Sequence, residues 1–64
     1  MNTPINALDT KQAAEFIGCS VYTLREFVRQ KRIPHYRVGA KIMFRITSLE
    51  KWIDNQEKDN YLRD

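Results

Sequence analysis

Cysteine is almost missing from these 64 residues, and the absences bound the chemistry before any motif is read. Cys19 is the only cysteine, so no internal disulfide can form, and the chain is not a bridge-held secreted scaffold. His35 is the only histidine and has no Cys or second His at ligand spacing, which removes the usual zinc arrangements. It reads as a strand residue, and Cys19 as a small buried hydrophobe. The glycines are Gly18 and Gly39 alone, too few for a phosphate-cradling loop. No apolar stretch approaches the roughly 20 residues that cross a bilayer. The opening "MNTPINALDT" has neither the apolar run of a secretory signal nor the glycine after Met that myristoylation needs. A soluble, cytoplasmic protein is expected. A chain this short encloses no deep cleft and holds no nucleophile, base and orienting group in a recognisable set, so it is not expected to be an enzyme or to carry a metal or cofactor.

Acid is the next absence, and it is local. Residues 25–45 contain Arg25, Arg29, Lys31, Arg32, Arg37, Lys41 and Arg45 against Glu26 alone, a net +6, whereas the last eighteen residues sum to −2 and the whole chain to +3. A positive field confined to one third of a sequence is the footprint of a polyanionic partner; a solvated basic face is the plainer alternative.

What is present is helical punctuation. Asp9 followed by Gln12 has the form of a capping box, so a helix is expected from there, burying Ala13, Ala14, Phe16 and Ile17 and stopped by Gly18. Ser20 is a natural N-cap for a second helix of about eleven residues, roughly 16 Å long. Leu24, Phe27 and Val28 follow its i, i+3, i+4 stripe and leave Tyr22, Thr23, Arg25, Glu26 and Arg29 on other faces. Two helices joined only by Gly18 and Cys19 cross steeply, as in a helix-turn-helix. Pro34 ends the helical run and pushes Ile33 to extended geometry.

Tyr36 and Val38, then Ile42, Phe44 and Ile46, are spaced by two, with Arg37, Lys41, Met43 and Arg45 on the other phase. "VGAKI" supplies the turn through Gly39. The expectation is a hairpin with one core face and one charged face. "TSLE" (Thr47 to Glu50) reads as a second capping box, opening a third helix with Leu49, Trp52 and Ile53 inward and Trp52 the largest core residue. Beyond Gln56 the periodicity fades and fraying is expected. The domain reading is therefore a flexible arm at 1–8, a folded unit at 9–56 and a polar tail at 57–64. The fold class is mainly α with a β-hairpin, in the order helix, helix, strand, strand, helix.

A helix of that length fits the major groove, about 12 Å wide, and a slim tip at Gly39, Ala40 and Lys41 can approach an adjacent minor groove. Over Leu8 to Ile53 the string "LDTKQAAEFIGCSVYTLREFVRQKRIPHYRVGAKIMFRITSLEKWI" resembles the excisionase-type, MerR-like winged helix-turn-helix family. The match lies in the order of its short motifs: Ala-Ala, a Gly-x-Ser turn, a basic second helix, Arg-Val-Gly, Phe-Arg and a closing Leu-x-x-Trp. Cys19 stands where that family usually has Val or Ile, and Ile46 where a charged residue is common. The resemblance implies that the second helix is a recognition helix presenting Ser20, Tyr22, Thr23, Arg25 and Arg29 to double-stranded DNA, while Arg37, Lys41 and Arg45 serve the wing.

It further implies an excisionase, or recombination directionality factor, that helps an integrase excise a mobile element. A small transcriptional regulator at a promoter is the alternative. The lack of heptads after Ile53 argues against a MerR-type dimeric sensor. A module this small buries roughly 600 to 1,000 Å² on DNA, so neighbouring copies or an integrase are expected partners, with the polar tail as one contact. An RNA-binding or protein-interaction adaptor would instead show little preference for duplex DNA.

Overall fold

The computed structural model describes residues 6–63. In chain order these form β1 (Ala7–Asp9), α1 (Thr10–Ile17), α2 (Val21–Arg29), β2 (Tyr36–Val38), β3 (Lys41–Arg45) and α3 (Ile46–Arg63). The three strands make one antiparallel sheet in the order β1-β3-β2. The expected order therefore lacked its first strand. Ala7 and Leu8, read as part of an arm, pair with Arg45 and Phe44; the arm's residues 1–5 lie outside the described residues. A three-residue strand has too few positions to show a period of two, and its partner lies over thirty residues away.

The helical pair follows its local signals. Asp9 Oδ1 accepts the Gln12 N–H at 2.8 Å and Gln12 Oε1 accepts the Asp9 N–H at 3.0 Å, satisfying two of the donors a helix start leaves open. Gly18, at φ 94°, ends α1 in the left-handed region as Cys19 N–H bonds the Ala14 carbonyl. Ser20 Oγ then accepts the Thr23 N–H at 3.0 Å and starts α2, which spans nine residues.

The end of α2 carries an energetic oddity. Lys31 N–H bonds the Val28 carbonyl and Arg32 N–H the Phe27 carbonyl, the paired bonds of a Schellman motif. Its left-handed position is filled by Lys31 at φ 57°, among the described residues the one non-glycine with positive φ. That conformation places Cβ against the backbone and costs a lysine about 1 kcal/mol relative to glycine. Lys31→Gly should therefore raise the melting temperature by roughly 4–8 °C in a domain of this size, as read by circular dichroism; a lowered value would contradict this.

Ala13, Ala14, Leu24, Val28, Ile33, Phe44 and Leu49 form the buried core. Phe44, fully buried on the central strand, is the largest of them. Trp52 instead sits half-buried at the core's edge, its ring tilted against Phe27 at 6.0 Å and its Nε1–H donating to the Arg32 carbonyl at 2.8 Å. An indole donor needs a partner when it leaves water, and that partner lies at the rim. Phe16, expected inside, is 42 % exposed.

The hairpin corrects a second expectation. A two-residue turn, Gly39 and Ala40, sets the pairs Tyr36 with Met43, Arg37 with Ile42 and Val38 with Lys41. Directly opposed residues share a face, so residues of opposite parity lie together. Ile42 and Phe44 point inward as expected, but Tyr36 and Val38 share the outer face with Lys41, Met43 and Arg45, and Arg37 shares that of Ile42. Tyr36 and Val38 are accordingly 38 % and 59 % exposed. Gly39 at φ 62°, with no positive φ at Ala40, gives the type II′ pattern.

The start of α3 is capped from afar. The Ile46 N–H donates to the Asn6 carbonyl at 3.0 Å, the Thr47 N–H to Asn6 Oδ1 at 3.1 Å, and Asn6 Nδ2 to Thr47 Oγ1 at 3.3 Å. Asn6, not the Thr47–Glu50 box, provides the cap, because β3 runs into α3 without a loop and β1 delivers Asn6 to the junction. Asn6→Ala should cost about 1 kcal/mol, read as a lower urea midpoint at unchanged slope; an unchanged midpoint would show the cap to be idle.

The helix does not stop near Gln56 but continues to Arg63, about 27 Å in all. Residues 54–60 are exposed all round, which removes the apolar periodicity without removing helicity. Asp54 with Lys58 has the acid-before-base i, i+4 spacing that adds about 0.2–0.5 kcal/mol. Among the described residues no helix is long and apolar enough to cross a membrane.

Candidate nucleic-acid interface

Leu24 and Val28 fix the rotation of α2 by sinking into the core, and the opposite side of the helix is thereby presented to solvent. That side carries Tyr22, 73 % exposed, and the exposed Arg29, while Arg25, also exposed, stands on its flank. Ser20 and Thr23 lie at the N-terminal end, where the two hydroxyls bond each other at 3.0 Å while the Ser20 oxygen also holds the Thr23 N–H. Their hydroxyls serve the cap first.

The cations on this side differ in what holds them. Arg29 is paired with Glu26 one turn earlier, an exposed i, i+3 ion pair that contributes at most about 1 kcal/mol to the fold. Arg32 is drawn off to the rim of the core, where its guanidinium lies 5.4 Å from the centroid of the Phe27 ring. Arg25 has no carboxylate partner among the described residues.

The wing cations separate as well. Arg37, Lys41 and Arg45 are all exposed, but the register puts Arg37 on the sheet face opposite to Lys41 and Arg45. Lys41 stands at the hairpin tip, and Arg45 lies four residues down the strand, roughly 13 Å away by the standard rise. There Arg45 lines a shallow groove with Pro34, His35, Tyr36 and Ser48. The His35 ring places Nδ1 2.9 Å from the Ile33 carbonyl, which fits a structural role in the linker.

Arg25 and Lys41 are brought together. They line one open groove of about 440 Å³ between the start of α1, the exposed side of α2 and the wing tip, together with Asp9, Thr10, Lys11, Ala40 and Ile42. Lys11 is the residue that sequence reasoning passed over. As the second residue of α1 it reads as ordinary helix surface, and only the packing of the hairpin beside α1 gives it cationic neighbours.

No curated protein and no solved structure matches the chain. A family model does, described as a helix-turn-helix domain and covering residues 7–57, a span that takes in β1 and runs from there through most of α3. A helix pair with a three-residue connection, Gly18 to Ser20, a second helix with an exposed side and a supporting hairpin is the architecture such a model describes. The chain belongs to the helix-turn-helix domain family of the excisionase type, a family of DNA-binding domains.

Proposed function

We propose that this protein binds double-stranded DNA sequence-specifically and acts as an excisionase, a recombination directionality factor that assists an integrase in excising a mobile element. The observation that carries the DNA-binding part is the exposed surface of α2, with Tyr22 and Arg29 on the side opposite Leu24 and Val28, Arg25 exposed on the flank, and the wing tip beside it. In this reading α2 enters the major groove, where an arginine fork reads guanine O6 and N7. Arg25 and Arg29 are the base readers, and Tyr22, Ser20 and Thr23 contact the strand at the helix start. Lys41 leads the wing towards the neighbouring minor groove, with Arg37 and Arg45 adding charge along the hairpin.

The excision role is supported by the family's excisionase type and by the modest reach of one such module. A single helix and wing read few base pairs, so function calls for neighbouring copies or a recombinase on the same DNA. Residues 9–56 are the DNA-binding unit in this proposal, with Ala7 and Leu8 completing its sheet, and the polar end of α3 is the surface offered to a protein partner.

Footprinting on DNA flanking the gene, with and without a neighbouring integrase, tests this. Protection at an attachment site, extended by the integrase, is the expected result; protection over a promoter alone would favour the transcriptional regulator instead. Glu26 gives a second test. It is the only acid on the outward side of α2 and opposes the phosphate field. Glu26→Gln should leave the melting curve nearly unchanged and tighten duplex binding roughly fivefold, about 1 kcal/mol. Weaker binding would show that the carboxylate serves recognition, by accepting from a base or by steering Arg29.

A further inference from the structure

Three cations from three separate elements converge on the groove beneath the wing: Lys11 from α1, Arg25 from α2 and Lys41 from β3. Each is exposed. The one ion pair among the described residues joins Arg29 to Glu26, so none of the three has a carboxylate ion-pair partner among those residues. Asp9 also lines the groove, but one of its oxygens is taken by the Gln12 N–H, and it leaves an excess of two positive charges. The remaining lining, Thr10, Ala40 and Ile42, supplies one hydroxyl and otherwise slim or apolar walls. Such a setting repels cations and suits a small oxyanion, which the lysine ammoniums meet as point charges while Arg25 adds its field from the side.

We propose that this groove seats one backbone phosphodiester of the duplex, and that Lys11 is a DNA contact equal in kind to Lys41. The proposal rests on the reading of α2 and the wing as the duplex-binding surface. With α2 in the major groove and the wing tip over the adjoining minor groove, the strand between them passes along the groove that these three residues line. A phosphate held by Lys11 of α1 and Lys41 of β3, with Arg25 beside it left to reach a base edge, fixes the depth and register of α2 while carrying no sequence information itself.

The test is a titration of the full chain and of Lys11→Ala against duplexes bearing a single neutral methylphosphonate at successive positions, read by fluorescence anisotropy over a range of KCl. In the unmodified protein one position, or two adjacent ones, should weaken binding by roughly three- to tenfold, the scale of one phosphate contact. In Lys11→Ala the same position should give little further loss. The variant should bind cognate and non-cognate duplexes more weakly by one common factor, with a salt slope shallower by about 0.9, and Lys11→Arg should restore both. Because Lys11 is exposed, the variant should melt like the parent.

An unchanged slope and methylphosphonate profile in Lys11→Ala, alongside weakened binding by Arg29→Ala, would overturn the phosphate seat and leave the duplex-binding reading intact. Failure of the unmodified protein to prefer duplex DNA over competitor RNA would overturn both.

Discussion

Phe44→Ala should abolish the cooperative thermal transition of this domain. Phe44 is fully buried on the central strand, opposite Leu8 of β1, and is the largest side chain of the seven-residue core. Removing a buried phenyl ring typically costs about 3–5 kcal/mol, the lost transfer energy plus the cavity left behind. A single core below 70–80 residues rarely supplies more than about 3–5 kcal/mol of net stability, so this one change equals the whole margin. Far-UV circular dichroism should show a shallow, non-cooperative melt. Phe16→Ala is the control: that ring is already 42 % exposed, and its loss should move the midpoint only slightly. A sharp transition for Phe44→Ala within a few degrees of the parent would mean that the core is not centred on β3.

Arg25→Ala should produce the largest loss of DNA affinity among single changes on the surface. Arg25 is exposed, lacks an internal carboxylate partner among the described residues and lies where the outward side of α2 meets the groove shared with Lys41. As a base reader it should contribute about 1–3 kcal/mol, and its removal should relax preference at one base pair while leaving other positions ranked as before. As a phosphate contact alone it would weaken all sequences alike and flatten the salt slope. Its neighbour Arg29 begins from a different state, since Glu26 must release or reorient it. Arg29→Ala is therefore expected to lose less than Arg25→Ala, and competition titrations on single-base variants of the bound site distinguish the two.

The parts of this fold that were legible in sequence are those fixed by residues close together along the chain. A capping side chain meets a backbone N–H three residues on, so Asp9–Gln12 and Ser20–Thr23 marked the starts of α1 and α2. Gly18 and Gly39 marked turns because positive φ is open to glycine. The outward side of α2 followed from the spacing of Leu24 and Val28 alone.

What was hidden depends on distance in the chain. Asn6 caps a helix whose Thr47 lies 41 residues away, and β1 has no pattern of its own until β3 pairs with it. Thr47 and Glu50 had the spacing of a box, but the junction with β3 placed a better acceptor at the helix start. Tyr36 and Val38 looked continuous in phase with Ile42 and Phe44. The length of the turn, which decides parity, could not be settled from "VGAKI". The end of α3 read as a frayed tail because a helix exposed on all sides has no apolar stripe to announce it. The same division holds at the site. Tyr22, Arg25 and Arg29 were visible as exposed positions of one helix, whereas the meeting of Lys11 with Arg25 and Lys41, and the separation of Arg45 from the tip, are products of packing.

The most direct measurement of the central claim is a map of backbone amide chemical shifts as duplex DNA is titrated into the folded chain. If α2 and the hairpin act as one surface, the largest changes will fall on residues 20–29 and 37–41 together, with the amides of residues 54–60 nearly still. Changes confined to the outer half of α3, with α2 and the wing tip unmoved, would contradict it.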